Sequence, residues 1–109
     1  MADQTDILPG TLDLLILRVL SRGALHGYGI AQRLLEASGN ALAVGEGSLY
    51  PALQRLLVNG WAKAQWAQSE TGRRARFYEL TAAGKKRLDQ EERDFDRMVA
   101  AIRLVLRTV

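Results

Sequence analysis

The 109-residue sequence contains no cysteine, which removes disulfides, thiolate nucleophiles and thiolate metal ligands. It holds a single histidine, His26, so neither a multi-histidine metal site nor a His-assisted nucleophile finds its parts. A turn or helix-capping role is expected for His26. Long apolar runs are also missing. The richest, Leu12 to Leu20, is short and carries Asp13 and Arg18, far from the roughly twenty apolar residues of a membrane-spanning helix. The opening MADQTDILPG lacks the basic end and apolar run of a secretory signal, so a cytoplasmic location is expected, with no membrane partner. Gly27 and Gly29 form no nucleotide-binding fingerprint, because the preceding strand and the remaining glycines are absent. No constellation supports an enzyme, a cofactor or a metal.

What remains is one domain's worth of chain with an ordinary apolar share of 48% and an uneven charge distribution. From Lys63 to Arg87 seven cations (Lys63, Arg73, Arg74, Arg76, Lys85, Lys86, Arg87) face two carboxylates (Glu70, Glu79), a segment charge of +5 within a chain of net +3. Such a patch attracts polyanions. The following segment mixes both signs, with Asp89, Glu91, Glu92, Asp94 and Asp96 near its start.

The order of elements gives that patch a setting. Pro9 and Gly10 close the opening segment, and Thr11 is an N-cap for a helix over Leu12 to Leu20. That helix is apolar nearly all round, which calls for cover on more than one side, expected from beyond its own domain. HGYGI at His26 to Ile30 opens a second helix, which Gly39 and Asn40 end. Leu42, Ala43 and Val44 suit a minimal strand. A third helix carries Leu49, Leu53, Leu56 and Leu57 inward at i, i+4, i+7, i+8. Pro51 is acceptable in its first turn, so a start near Gly47 or Ser48 is expected, with Asn59 and Gly60 as the stop. WAKAQWAQ and ARFYELT then read as two strands around a polar turn, with Gly72 available for a positive φ. Trp61 and Trp66 read as core or wing packing rather than as stacking platforms. A last helix starts after Thr81, near Ala82. Leu88, Phe95, Ile102 and Val109 recur along it every seven residues, supported by Met98, Val99, Val105 and Leu106, as in a seam between helices.

These elements predict a mainly α fold with a small β-hairpin: a winged helix-turn-helix DNA-binding domain over residues 1–81 and a long C-terminal dimerisation helix over 82–109, together one structural unit. The seam residues expected at the dimer contact are Leu88, Phe95, Met98, Val99, Ile102, Val105 and Leu106, with Leu12, Leu15 and Ile16 of the partner's first helix opposite them. With its leucines inward, the third helix turns Ser48, Tyr50, Pro51, Gln54 and Arg55 outward, where an entering helix meets the major groove. Gln54 matches adenine and Arg55 guanine bidentately, each such pair being worth roughly 1 to 3 kcal/mol of discrimination. Ser48 and Tyr50 suit phosphates. The alternative for Arg55 is a surface ion pair, and for Tyr50 a partly core position. Arg73, Arg74 and Arg76 reach phosphates or a narrow minor groove from the hairpin. Lys63 is a lesser phosphate candidate or a solvated strand charge, and Tyr28 either joins a phosphate site at a helix start or packs. The reading from a different class is a protein-interaction module in which the basic wing only steers a partner.

Four ordered blocks, LPGTLDLLIL at Leu8 to Leu17, HGYGI at His26 to Ile30, GSLYPALQRL at Gly47 to Leu56 and RRARFYELTAAG at Arg73 to Gly84, closely resemble PadR-type transcriptional regulators over nearly the whole chain. The match is to the short subtype, with a single C-terminal dimerisation helix. The resemblance implies a homodimeric winged-helix regulator, usually a repressor, on a palindromic double-stranded operator. For some relatives it also implies release by a small aromatic or lipophilic effector.

Overall fold

A computed structural model describes residue 7 and residues 10–109. Four helices and three short strands follow in the order α1 (Leu12–Leu20), β1 (Leu25–His26), α2 (Gly27–Ala37), α3 (Glu46–Val58), β2 (Ala62–Gln68), β3 (Arg74–Leu80) and α4 (Ala82–Thr108). The strands form one antiparallel sheet in the order β1-β3-β2. Among the described residues no helix is long and apolar enough to cross a membrane.

The core is one cluster in which Ile16, Leu17, Ile30, Leu53 and Leu56 are almost fully buried. Burial of each such side chain contributes about 1.5–3 kcal/mol. The apolar character of α1 has its cause here: the helix touches α2, α3, α4 and β3, and Leu14, Ile16, Leu17, Val19 and Leu20 are buried by the chain itself. The cover expected from outside the domain is thus supplied mostly from within. Thr11 stands at the N-cap without a side-chain cap hydrogen bond, and its carbonyl accepts from the Leu15 N–H.

His26 caps α2: the Gly29 N–H donates to Nδ1 at 2.9 Å, which places the ring's proton on Nε2. The same residue belongs to β1, opposite Phe77 in β3, and the two rings meet edge to face at 5.1 Å. Leu25–His26 is the third strand; Leu42, Ala43 and Val44, where a strand was expected, have no regular structure. The edge of β3 away from β2 is filled by the α1–α2 connection instead.

The third helix begins at Glu46, with Gly45 as N-cap, slightly before the expected start. Pro51 is therefore its sixth residue and lies past the first turn. The bond it cannot donate would have gone to the carbonyl of Gly47, an exposed residue whose oxygen water can serve. Gly60, with φ +74°, turns the chain out of α3 as expected, and Gly72, with φ +83°, turns the hairpin. Thr81 caps α4, accepting from the Gly84 N–H at 3.0 Å while its hydroxyl donates to the Gly60 carbonyl at 2.7 Å.

Two residues expected at a dimer seam are corrected by this packing. Ile16 is fully buried and Leu88 is 5% exposed, both inside the chain's own core, because α4 begins by packing on α1. Leu12 and Leu15 are half-buried. Phe95, Met98, Ile102, Val105 and Leu106 stand exposed, and Val99 is half-buried.

Candidate nucleic-acid interface

Helical geometry sorts the outer residues of α3. With Leu49, Ala52, Leu53 and Leu56 buried, steps of 100° per residue put Gly47, Pro51, Gln54 and Val58 at the centre of the exposed face. Tyr50 lies on one flank and Ser48 and Arg55 on the other. Gln54 thus occupies the position from which a polar side chain projects farthest from the domain. Ser48, Pro51 and Arg55 border a hollow of ≈ 540 Å³ beside the start of α1.

Arg55 is not free. Its Nε donates to Asp13 Oδ2 at 3.1 Å and its Nη2 to Asp13 Oδ1 at 2.7 Å, and this hydrogen bonding raises the guanidinium's pKa above its ordinary value. The ion pair weighed against base reading is present. Tyr50 is 47% exposed, and its ring lies against α2 so closely that a Cβ on Gly27 would come within 2.8 Å of the hydroxyl, which fits the partly core alternative. Tyr28 is 73% exposed, with its ring centre 6.4 Å from that of His26.

The wing follows the period of two. Ala62, Ala64, Trp66 and Gln68 share one face with Leu80, Tyr78, Arg76 and Arg74 opposite them. Ala62, Tyr78 and Leu80 on that face are buried. Farther out the same face passes beyond the core and becomes Trp66, Arg76 and Arg74. The Arg74 guanidinium lies 5.6 Å from the Trp66 ring centre and that of Arg76 lies 5.7 Å from Tyr78, contacts that hold both cations close to the strand. Lys63 points the other way, opposite Glu79, so the pleat separates it from the arginines. Its reading as a solvated strand charge fits this placement.

Between wing and helices runs an open groove of ≈ 1120 Å³. Tyr28, Tyr50, Arg73, Arg74 and Arg76 border it, as do Trp66 and the first residues of α2, whose positive dipole end opens on it. Arg22 and Arg33 also line it and were missed in the sequence, where they lie far from the basic segment. Five arginines thus face two carboxylates, Glu36 and Glu70, in one channel. The shape and sign suit a strand of phosphates running between a helix start and a hairpin.

A helix pair whose second member is exposed along its polar edge, flanked by a cationic hairpin, defines a winged helix. Residues 16–90 match the transcriptional regulator PadR-like family, and the chain belongs to that family. It is similar to the uncharacterized protein X of Lysinibacillus sphaericus, at 30% identity over 87 residues, or 80% of each chain. Among solved structures it resembles a transcriptional regulator from Clostridium thermocellum (29% identity, 86% of this chain and 91% of that one, TM-score 0.79). It also resembles a PadR family transcription regulator from Clostridium difficile R20291 (28% identity, 89% and 99%, TM-score 0.76). The protein is a transcriptional regulator of the PadR type and not an enzyme.

Proposed function

We propose that the chain acts as a homodimeric repressor that occupies a palindromic double-stranded operator, with residues 1–81 as the DNA-binding head and 82–109 as the dimerisation helix. The observation that carries this reading is the groove: Arg73, Arg74 and Arg76 of the wing face Tyr28 and Tyr50 across it, beside the exposed edge of α3. Gln54 reads a base, Ser48, Pro51 and Tyr50 border the duplex, and the wing arginines supply affinity through phosphates. Arg22 and Arg33 join them.

The second copy is called for by α4. Phe95, Met98, Val99, Ile102, Val105 and Leu106 lie on one side of the helix by its 100° step, and all but the half-buried Val99 are exposed. An uncovered stripe of this length marks an interface, and a second α4, with Leu12 and Leu15 of the partner's α1, is its occupant. Two-fold symmetry then sets α3 helices in successive major grooves, with half-sites about 34–36 Å apart or a multiple of it. No part of this reading requires an effector.

Fluorescence anisotropy on a duplex taken from the DNA upstream of the chain's own gene, across a salt series, tests it. Replacing both Arg74 and Arg76 by Ala weakens binding to every duplex and reduces the salt slope by about two. Gln54→Ala instead changes the preferred base at one position per half-site. An unaltered slope rejects the wing assignment. Failure of the wild-type chain to bind DNA leaves the protein-interaction module in its place.

A further inference from the structure

The pair Asp13–Arg55 links α1 to α3 across 42 positions of sequence. Its contact is side-on, through Nε and Nη2. A guanidinium has five N–H donors, so three remain: one on each Nη, which together form its end-on edge, and a second on Nη1 that points back toward the Cδ side. The Asp13 side chain is 23% exposed and that of Arg55 53%. The carboxylate is therefore the sheltered member, and the guanidinium lies between it and solvent on the flank of α3. An unheld arginine in that position swings through many rotamers and meets a phosphate as readily as a base. A bidentate hold on one edge removes that freedom, and the adjacent carboxylate offsets the charge that a phosphate would seek.

We propose that Asp13 is a positioning residue that sets base selectivity: it holds the inner edge of Arg55, so that only the end-on edge is offered to a duplex, and it suppresses the use of Arg55 as a general phosphate contact. The inference rests on the DNA-binding reading above. The partner of the free edge is a base presenting two adjacent acceptors in the major groove, as guanine does with O6 and N7. Asp13 itself has no need to touch DNA.

The full chain, Asp13→Asn, Asp13→Glu, Arg55→Ala and the double variant Asp13→Asn with Arg55→Ala are compared on two labelled duplexes over a salt series. One carries the sequence returned by randomised-site selection with the wild-type protein; the other is its scrambled counterpart. Asp13→Asn is expected to lower the ratio of the two affinities about tenfold and to steepen the salt slope on the scrambled duplex by about one, as Arg55 finds a phosphate. Repeating the selection with this variant loses the guanine preference at one position per half-site. Asp13→Glu recovers most of the ratio, and Asp13→Asn adds nothing once Arg55 is Ala. Parallel weakening on both duplexes would reduce Asp13 to a prop for the fold and overturn the proposal. So would an unchanged ratio, or an effect that survives in the Arg55→Ala background. A wild-type chain that fails to discriminate between the duplexes removes the sequence-specific reading itself, a result distinct from a discriminating wild type with an indifferent Asp13 variant.

Discussion

In its first turns α4 directs Gly84 and Leu88 into the domain, whereas from Phe95 onward residues at nearly the same helical angle stand largely in solvent. The near end is fastened by backbone proximity, by the Arg87 guanidinium 4.5 Å from the Trp61 ring centre and by the Arg18–Glu92 ion pair at 3.6 Å. Among the described residues, the far end has only pairs within the helix, such as Arg97–Asp94. One periodic pattern is therefore covered by the domain at one end and largely uncovered at the other. Leu88 contributes to the stability of a single chain, while Ile102 and its exposed neighbours bury little against it, as the proposed dimer seam requires.

The sharpest way to break this contrast is at Gly84. A Cβ there would press into the Trp61 carbonyl oxygen and the Leu80 side chain; the oxygen belongs to backbone and cannot move aside. Gly84→Ala is expected to destabilise the fold by about 3 kcal/mol or more, read from urea unfolding, and a loss under about 1 kcal/mol would show the junction to be loose. Next comes a matched pair. Leu88→Ala costs about 2–5 kcal/mol of single-chain stability, while Ile102→Asp with Val105→Asp leaves unfolding of the dilute monomer nearly unchanged and shifts sedimentation from dimer to monomer. If both variants act alike on unfolding, the two ends of α4 do not differ as described. The smallest effect concerns Asp94, whose carboxyl is held below its ordinary value of 3.8 by hydrogen bonds from Arg97 and then Gln90. A lowered carboxyl pKa stabilises the fold above the ordinary value, and the contribution is lost as pH falls through the lowered one. Because Asp94 is exposed, Asp94→Asn is expected to flatten the acid limb of a melting-temperature profile only slightly. A large drop at neutral pH would mean that the far end is fastened after all.

Much of the architecture was legible because it repeats. The leucine row of α3, the two wing strands and the glycine between them have periods or turn chemistry that a single sequence displays. β1 was not legible, since a two-residue strand has no period; it exists because β3 has an edge to fill. Ile16 and Leu88 were misplaced for a related reason: spacing identifies the stripe but not what lies opposite it, and for these two the answer is the chain itself. The position of Lys63 was within reach, as its odd offset from Trp66 already sets it on the other face of the pleat. The Asp13–Arg55 contact and the arrival of Arg22 and Arg33 in the groove had no local signature. They arise only when α1, α2 and α3 pack.

α4 is also one unbroken rod of 27 residues, about 40 Å long. In the proposed dimer such a rod, fixed to its head at one end and clasped to a twin at the other, acts as a ruler. Seven residues inserted between Leu88 and Phe95 would lengthen each arm by some 10 Å while turning the clasp by only about 20°. The separation of the two sites that such a pair can span is thus set by a residue count, and it can change in evolution or by design without touching a single group that meets DNA.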